Sequence, residues 1–246
     1  MNNKKFIIEE MPDLSINTKD NPYATKFRDE MLKYFSNNII LENGQMIYIE
    51  LSKDLRQIIN GYIMDIFINI LRSENLIIDN KKIIEEYIKT SKNNSSSFIK
   101  NCYEIITSMD QANKMIWNIC KKLNDNVNSY NSYLIWQEGK FNIDKKIYDD
   151  WDIIYKVRNE IEHPGGLLSP TFLCKLPNGK IGLPIIKWDK KKYDLQNIAE
   201  HSIKIISIFA RLVIASSFLY SKYTLAVTDK TRTILYKVDD DFKNTN

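Results

Sequence analysis

Between Trp151 and Gly166 the chain reads W-D-I-I-Y-K-V-R-N-E-I-E-H-P-G-G. Ile153, Ile154, Val157 and Ile161 recur at helical spacing, so one face of this segment is apolar and directed to a core. Asp152, Lys156, Asn159 and His163 follow at steps of four, three and four along another face. A single helix therefore carries an apolar seam and, roughly opposite, a stripe with an acid, a base, an amide and an imidazole. Pro164 disfavours helical geometry at the residue before it, and Gly165-Gly166 completes the stop. His163 is thus expected in or just past the last turn, where the backbone can re-aim its ring.

The segments around this helix predict a mainly helical chain. Residues 1 to about 20 read as an irregular arm, followed by a helix from about Pro22 to Phe35 with Phe27, Met31 and Phe35 on one side. Asn43-Gly44 separates two short apolar runs at 39–41 and 46–49, which suits a small hairpin, the alternative being buried loop. Ser52 suits the N-cap of a helix reaching about Arg72, whose apolar residues wrap most of the way round and place it centrally. A shorter helix is expected over 80–92. The polar run 93–97 is either a loop or the capped start of a long helix over 98–123. Residues 124–139, rich in Asn and Ser, read as a connecting loop before the motif helix of 144–162. Two apolar runs around Pro177-Asn178-Gly179-Lys180 give a hairpin at about 171–187. Asp194 is an N-cap candidate for a last helix to about Tyr220, with Ile198, Ile205, Phe209, Leu212 and Val213 inward. Two strand-like pieces follow, at 224–227 and 233–238. No internal repeat stands out.

Composition narrows the setting more than the function. At 246 residues the chain can bury a full core, and its net charge of +4 permits a polyanion partner without requiring one. Cys102, Cys120 and Cys174 are widely spaced and form no metal-ligand pattern. They read as reduced core or half-buried thiols, which fits a cytoplasmic protein. The first residues, M-N-N-K-K-F-I-I-E-E, lack an apolar run long enough for a signal peptide, and no stretch is apolar enough to span a membrane.

Arg158, Asn159 and His163 form the pattern R-N-x-x-x-H, here R-N-E-I-E-H, late on an amphipathic helix with another long apolar helix downstream. This resembles the signature of HEPN-domain proteins, helical modules whose catalytic members are metal-independent endoribonucleases. The resemblance implies an up-and-down helical bundle over about 94–222, here with one or two small inserted β-hairpins. It leaves 1–93 as an N-terminal helical region packed on the bundle and 223–246 as a tail. It further implies cleavage of single-stranded RNA by attack of the 2′-hydroxyl, in a toxin or phage-defence role. With it come a homodimer through the motif helix, a cognate antitoxin among the partners, and no metal or other cofactor. A non-catalytic HEPN-like dimer that binds RNA, a nucleotide or a partner protein is the other reading. A third is an unrelated helical protein in which the motif is an accidental cap. Some HEPN toxins carry a tyrosine two residues after the histidine that is modified; Gly165 stands there, so such regulation is not supported.

The residue chemistry suits that reading. His163 can take a proton from a 2′-hydroxyl or give one to a leaving 5′-oxygen, and Arg158 offers forked donors to a pentacoordinate phosphorane. Asn159, one turn before His163, could orient the ring or the phosphate. Arg158 and His163, five residues apart, lie roughly 140° apart around an ideal helix. They converge only if the helix end unwinds or two chains pool their motifs, and the family favours the second. Both lie off the apolar seam, so replacing either is expected to leave the fold intact. Asp152 and Lys156 suit an i, i+4 pair, with Lys156 also a candidate RNA contact, and Glu162 is placed to hold Arg158. Lys187, Lys190, Lys191 and Lys192, interleaved with Trp188 and Tyr193, are a solvated loop or an RNA-contacting rim. Asp149, Asp150 and Asp152 are splayed by a helix and make a poor metal cluster, and His201 reads as a half-buried structural residue.

Overall fold

The computed structural model describes residues 20–35, 39–40, 46–50, 53–123, 145–163, 172–188, 191–220, 224–228 and 233–237. The expected arm of residues 1–19, the connecting loop of 124–139 and the Pro-Gly-Gly stop lie outside them. The fold is mainly helical with small antiparallel hairpins. Among the described residues its helices are α1 (Pro22–Phe35), α2 (Lys53–Thr90), α3 (Ser95–Leu123), α4 (Lys145–Glu162) and α5 (Leu195–Tyr220). The core is shared by α2, α3 and α5, with α1 packed on α5 and α2, and α4 packed on α3 and α5. Ile63, Ile66, Phe67 and Ile70 of α2 meet Phe98, Cys102, Ile105, Ile106 and Met109 of α3 and Ile203, Ile206 and Phe209 of α5 in one buried cluster.

One helix replaces two. The expected break between about Arg72 and Asn80 does not occur, and α2 runs unbroken for 38 residues. Neither Gly nor Pro interrupts 73–80, and Glu74, Asn75 and Asn80 find tertiary partners rather than loop solvent. Glu74 is buried, and its carboxylate accepts the backbone N–H groups of Tyr23 and Ala24, both at 2.8 Å. It thereby caps α1, whose first residue is Pro22, the position where a missing N–H costs least. Burial raises the Glu74 carboxyl above the usual carboxylate range, while those two N–H groups oppose the rise. Asn80 is also buried; its amide donates to Cys102 Sγ at 3.3 Å and its oxygen accepts from Asn101 at 2.9 Å.

The turn from α2 to α3 is tight. Ser91 follows α2 with φ 58°, a left-handed backbone that L residues other than glycine adopt at a cost. Replacing Ser91 by glycine is expected to stabilise the protein by about 0.5–1 kcal/mol, the relief of that strain less glycine's larger chain entropy. Denaturant titration checks it, and a lower midpoint would contradict it. The polar run resolves as the capped start of α3: the Asn93 side chain accepts the Ser95 N–H at 3.0 Å. Ser95 Oγ in turn accepts the Leu173 N–H at 3.1 Å, which ties the following hairpin to this turn.

Strands β1 (Ile39–Ile40), β2 (Met46–Glu50), β7 (Thr224–Thr228) and β8 (Thr233–Lys237) form one antiparallel sheet in the order β1-β2-β7-β8. Met46 pairs with Thr228 and Glu50 with Thr224, so the two strand-like ends of the chain join. Between α4 and α5 lie two two-stranded ribbons, β3 (Cys174–Lys175) with β4 (Ile181–Gly182), and β5 (Ile185–Trp188) with β6 (Lys191–Asp194). The first turns at Gly179, whose φ of 77° suits glycine. Asp194 caps α5, accepting the N–H groups of Gln196 at 2.8 Å and Asn197 at 3.2 Å. Cys102 and Cys120 are buried as expected, and burial pushes the Cys102 thiol up to about 12 and the Cys120 thiol higher still. Cys174 is exposed rather than half-buried, because β3 lies on the surface of the short ribbon. No described helix is long and apolar enough to cross a membrane.

Candidate active site

The motif helix α4 buries Tyr148, Trp151, Ile154 and Val157, at steps of three residues. The apolar seam is therefore rotated from the expected one: Ile154 and Val157 hold, Ile153 is only partly covered, and two aromatic residues head the buried face. Phe209 of α5 is their shared partner. Tyr148 stacks on it with ring centres 5.5 Å apart, and Trp151 meets it edge-on at 6.3 Å. Asp150, on the same half of α4, lies 3.0 Å from His201 Nε2 of α5, and His201 is half-buried, as the sequence suggests.

This rotation decides where Arg158 goes. It follows Val157 on the edge of the buried face, and its side chain is only 13% exposed. Its Nε lies 2.9 Å from Oδ2 of Asp110 on α3, a carboxylate 3% exposed. Lys114 Nζ reaches the same oxygen at 2.9 Å. Glu162 Oε2 stands 2.6 Å from Arg158 Nη2, one turn along α4, as the spacing predicts. Nη1 donates to Asn159 Oδ1 at 3.0 Å. The Nε–Oδ2 contact is charge against charge rather than an aligned hydrogen bond. Two cations and two carboxylates thus form a cluster where α3 meets α4, two of the four charges well buried. Removing one member of such a cluster strands the others.

Replacing Arg158 is therefore expected to cost stability, where its position off the apolar seam suggests an intact fold. Asp110 and Lys114 do not stand out in the sequence, where α3 reads as apolar spacing. The available signal is an acid on an apolar face: Ile106, Asp110 and Asn113 follow at helical steps, and all three are buried.

His163 lies elsewhere. It is exposed, just past the last residue of α4, and its N–H donates to Asn159 O at 2.9 Å. That bond carries helical spacing through to His163, so the helix end does not unwind before it. Arg158 packs against α3 while His163 stays at the open end, and one copy of α4 does not gather the two. Asn159 turns its side-chain oxygen to Arg158. Lys156 pairs with Asp152 at 2.5 Å, both substantially exposed, a contact worth little by itself. Lys191 and Lys192 are exposed on β6, and Lys190 lies outside the described residues. Among the described residues no group of three or more His, Cys, Asp or Glu side chains is arranged to hold a metal.

An open cavity of about 280 Å³ is lined by Tyr23, Asn197, Glu200, His201 and Lys204. It contains none of the motif residues. The chain matches no family model, and comparison with curated proteins and with solved structures gives no match either.

Proposed function

We propose that the chain is a HEPN-like, metal-independent endoribonuclease that cleaves single-stranded RNA and serves as a toxin or in defence against phage. The observation that supports this most is the division of labour within R-N-E-I-E-H. Arg158 is held rigidly by a buried acid, and the imidazole of His163 is left open to solvent at the helix end. In the reaction, His163 takes the 2′-hydroxyl proton as O2′ bonds to phosphorus. The P–O5′ bond then breaks and O5′ gains a proton, leaving a 2′,3′-cyclic phosphate and a 5′-hydroxyl. Of the four N–H groups on the two Nη atoms of Arg158, one faces Glu162 and one donates to Asn159, so the second N–H on each would serve the phosphorane oxygens.

Because Arg158 and His163 lie on different faces of α4, a complete site draws on two chains. The exposed stripe of Asp152, Lys156 and His163 is the surface through which a homodimer would form, with RNA contacted by Lys156, Lys190, Lys191 and Lys192. A cognate antitoxin would cover the same stripe.

One observation favours the second reading, a non-catalytic HEPN-like dimer that binds RNA, a nucleotide or a partner protein. Arg158 already faces two carboxylates, which compete with a phosphate for the guanidinium. A cleavage assay separates the two. Purified protein with single-stranded RNA in EDTA is expected to yield 2′,3′-cyclic phosphate ends. Cleavage lost in EDTA and restored by magnesium would reject the mechanism, and no cleavage with retained RNA binding would favour the binding module.

A further inference from the structure

The net positive charge of this protein is concentrated in one short insert. Residues 172–193, between α4 and α5, contain Lys175, Lys180, Lys187, Lys190, Lys191 and Lys192 against one acid, Asp189. With 35 basic and 31 acidic residues in all, the rest of the chain holds 29 against 30 and is close to neutral. Lys175, Lys180, Lys187, Lys191 and Lys192 are all exposed. None of the five has an acidic partner among the described residues; Lys175 donates to Ser91 Oγ at 3.1 Å.

The register of the second ribbon sharpens this. Lys187 and Lys192 are direct cross-strand partners on β5 and β6. Like charges directly opposite one another destabilise a ribbon, so this pair opposes the pairing that creates it. The adjacent pair is Ile186 with Tyr193, and Ile186 is fully buried in the core cluster while Tyr193 packs against it. Alternation along a strand then places Lys187 and Lys192 on the opposite, solvent face, and the buried pair prevents a slip in register. At the base, the Leu195 N–H donates to Pro184 O at 3.0 Å, closing the ribbon where α5 begins. These lysines are thus displayed on an anchored element rather than a loop, and a bridging anion would relieve their repulsion.

We propose that the two-ribbon insert is a binding face for single-stranded nucleic acid, with Lys187 and Lys192 bridged by backbone phosphates. The insert also exposes Phe172, 67% accessible, an aromatic ring of the kind on which unpaired bases stack. That favours a nucleic acid over an acidic peptide or an anionic membrane. The inference shares the RNA partner of the proposed ribonuclease but not its chemistry, so it is tested on a strand that cannot be cleaved.

The experiment is fluorescence anisotropy with a labelled 2′-O-methyl oligoribonucleotide of about 12 nucleotides, within the site sizes usual for such strands. It lacks the nucleophilic hydroxyl, so binding is read whether or not the protein is a nuclease. The parent is expected to bind with affinity that falls steeply with salt. Each lysine removed lowers the logarithmic slope by roughly 0.7, so Lys187→Gln with Lys192→Gln lowers it by roughly 1.4 and weakens binding roughly 25-fold at 0.1 M salt. The double variant should melt no lower than the parent, since it removes a repulsive pair. Lys26→Gln with Lys81→Gln, exposed lysines on α1 and α2, is the control and should change binding little. No binding at about 50 mM salt, where such electrostatic contacts are strong, would overturn the inference. So would binding insensitive to the ribbon substitutions, or equal and equally lysine-dependent binding of polyglutamate or phosphatidylserine vesicles. Binding that passes these tests, with no cleavage of unmodified RNA in the EDTA assay, leaves the inference standing and favours the binding module over the ribonuclease.

Discussion

Arg158→Ala is expected to destabilise the protein by about 2–4 kcal/mol, below the usual cost of breaking a buried ion pair because Lys114 still faces Asp110. The loss arises from Asp110, whose carboxylate is 3% exposed and would keep one cation, itself half in solvent, where it now has two. Asp110→Asn should be costly alone, yet less costly in an Arg158→Ala background, since the stranded charge is then absent. The double-mutant cycle therefore has a coupling energy of at least about 1 kcal/mol. Arg158→Lys should fall between parent and alanine: the charge stays, but an ammonium cannot address Asp110, Asn159 and Glu162 from one plane. Urea titration of the parent and the four variants measures all of this. An Arg158→Ala protein within about 0.5 kcal/mol of the parent, the range of ordinary surface changes, would mean the cluster contributes nothing to the fold. Activity lost in Arg158→Ala must accordingly be read beside its stability, because a structural ion pair and a catalytic arginine both lower turnover.

His163→Ala separates chemistry from structure more cleanly. The residue is exposed and outside the core cluster, so its replacement should leave the unfolding midpoint within about 0.5 kcal/mol of the parent. Under the proposed reaction it should nevertheless slow RNA cleavage by about 10²- to 10⁴-fold, the usual contribution of a positioned acid or base. The pairing of a large kinetic loss with unchanged stability is the signature expected of His163 and of no residue in the Arg158 cluster. A folded His163→Ala protein that cleaves RNA at the parental rate would end the ribonuclease reading.

Local pattern carried much of the architecture. The spacing of Phe98, Cys102, Ile105, Ile106 and Met109 is enough to specify a helix with one buried face, and all five are buried. Asp194 announces the start of α5, and Asn178-Gly179 the turn of the first ribbon, because capping and positive φ are demands that a few residues meet alone. The i, i+4 partners Asp152–Lys156 and Arg158–Glu162 follow from helical geometry without any further information.

What the tertiary structure decided are the matters that depend on residues far apart in the chain. Glu74 and Asn80 look like a break in α2 until Tyr23, Ala24 and Cys102 are brought to them, and a buried polar group with a partner no longer interrupts a helix. Two short strand-like segments at opposite ends of the chain acquire a sheet only because β2 finds β7 across more than 170 residues. The candidate site shows the same limit. The order of Arg158, Asn159 and His163 along one helix is plain in the sequence. Whether Arg158 faces solvent or a buried acid depends on a rotation of α4 set by Tyr148 and Trp151 against Phe209. Asp110, 48 positions earlier, becomes its partner only because α3 and α4 pack side by side, and pairwise packing of that kind has no local signature.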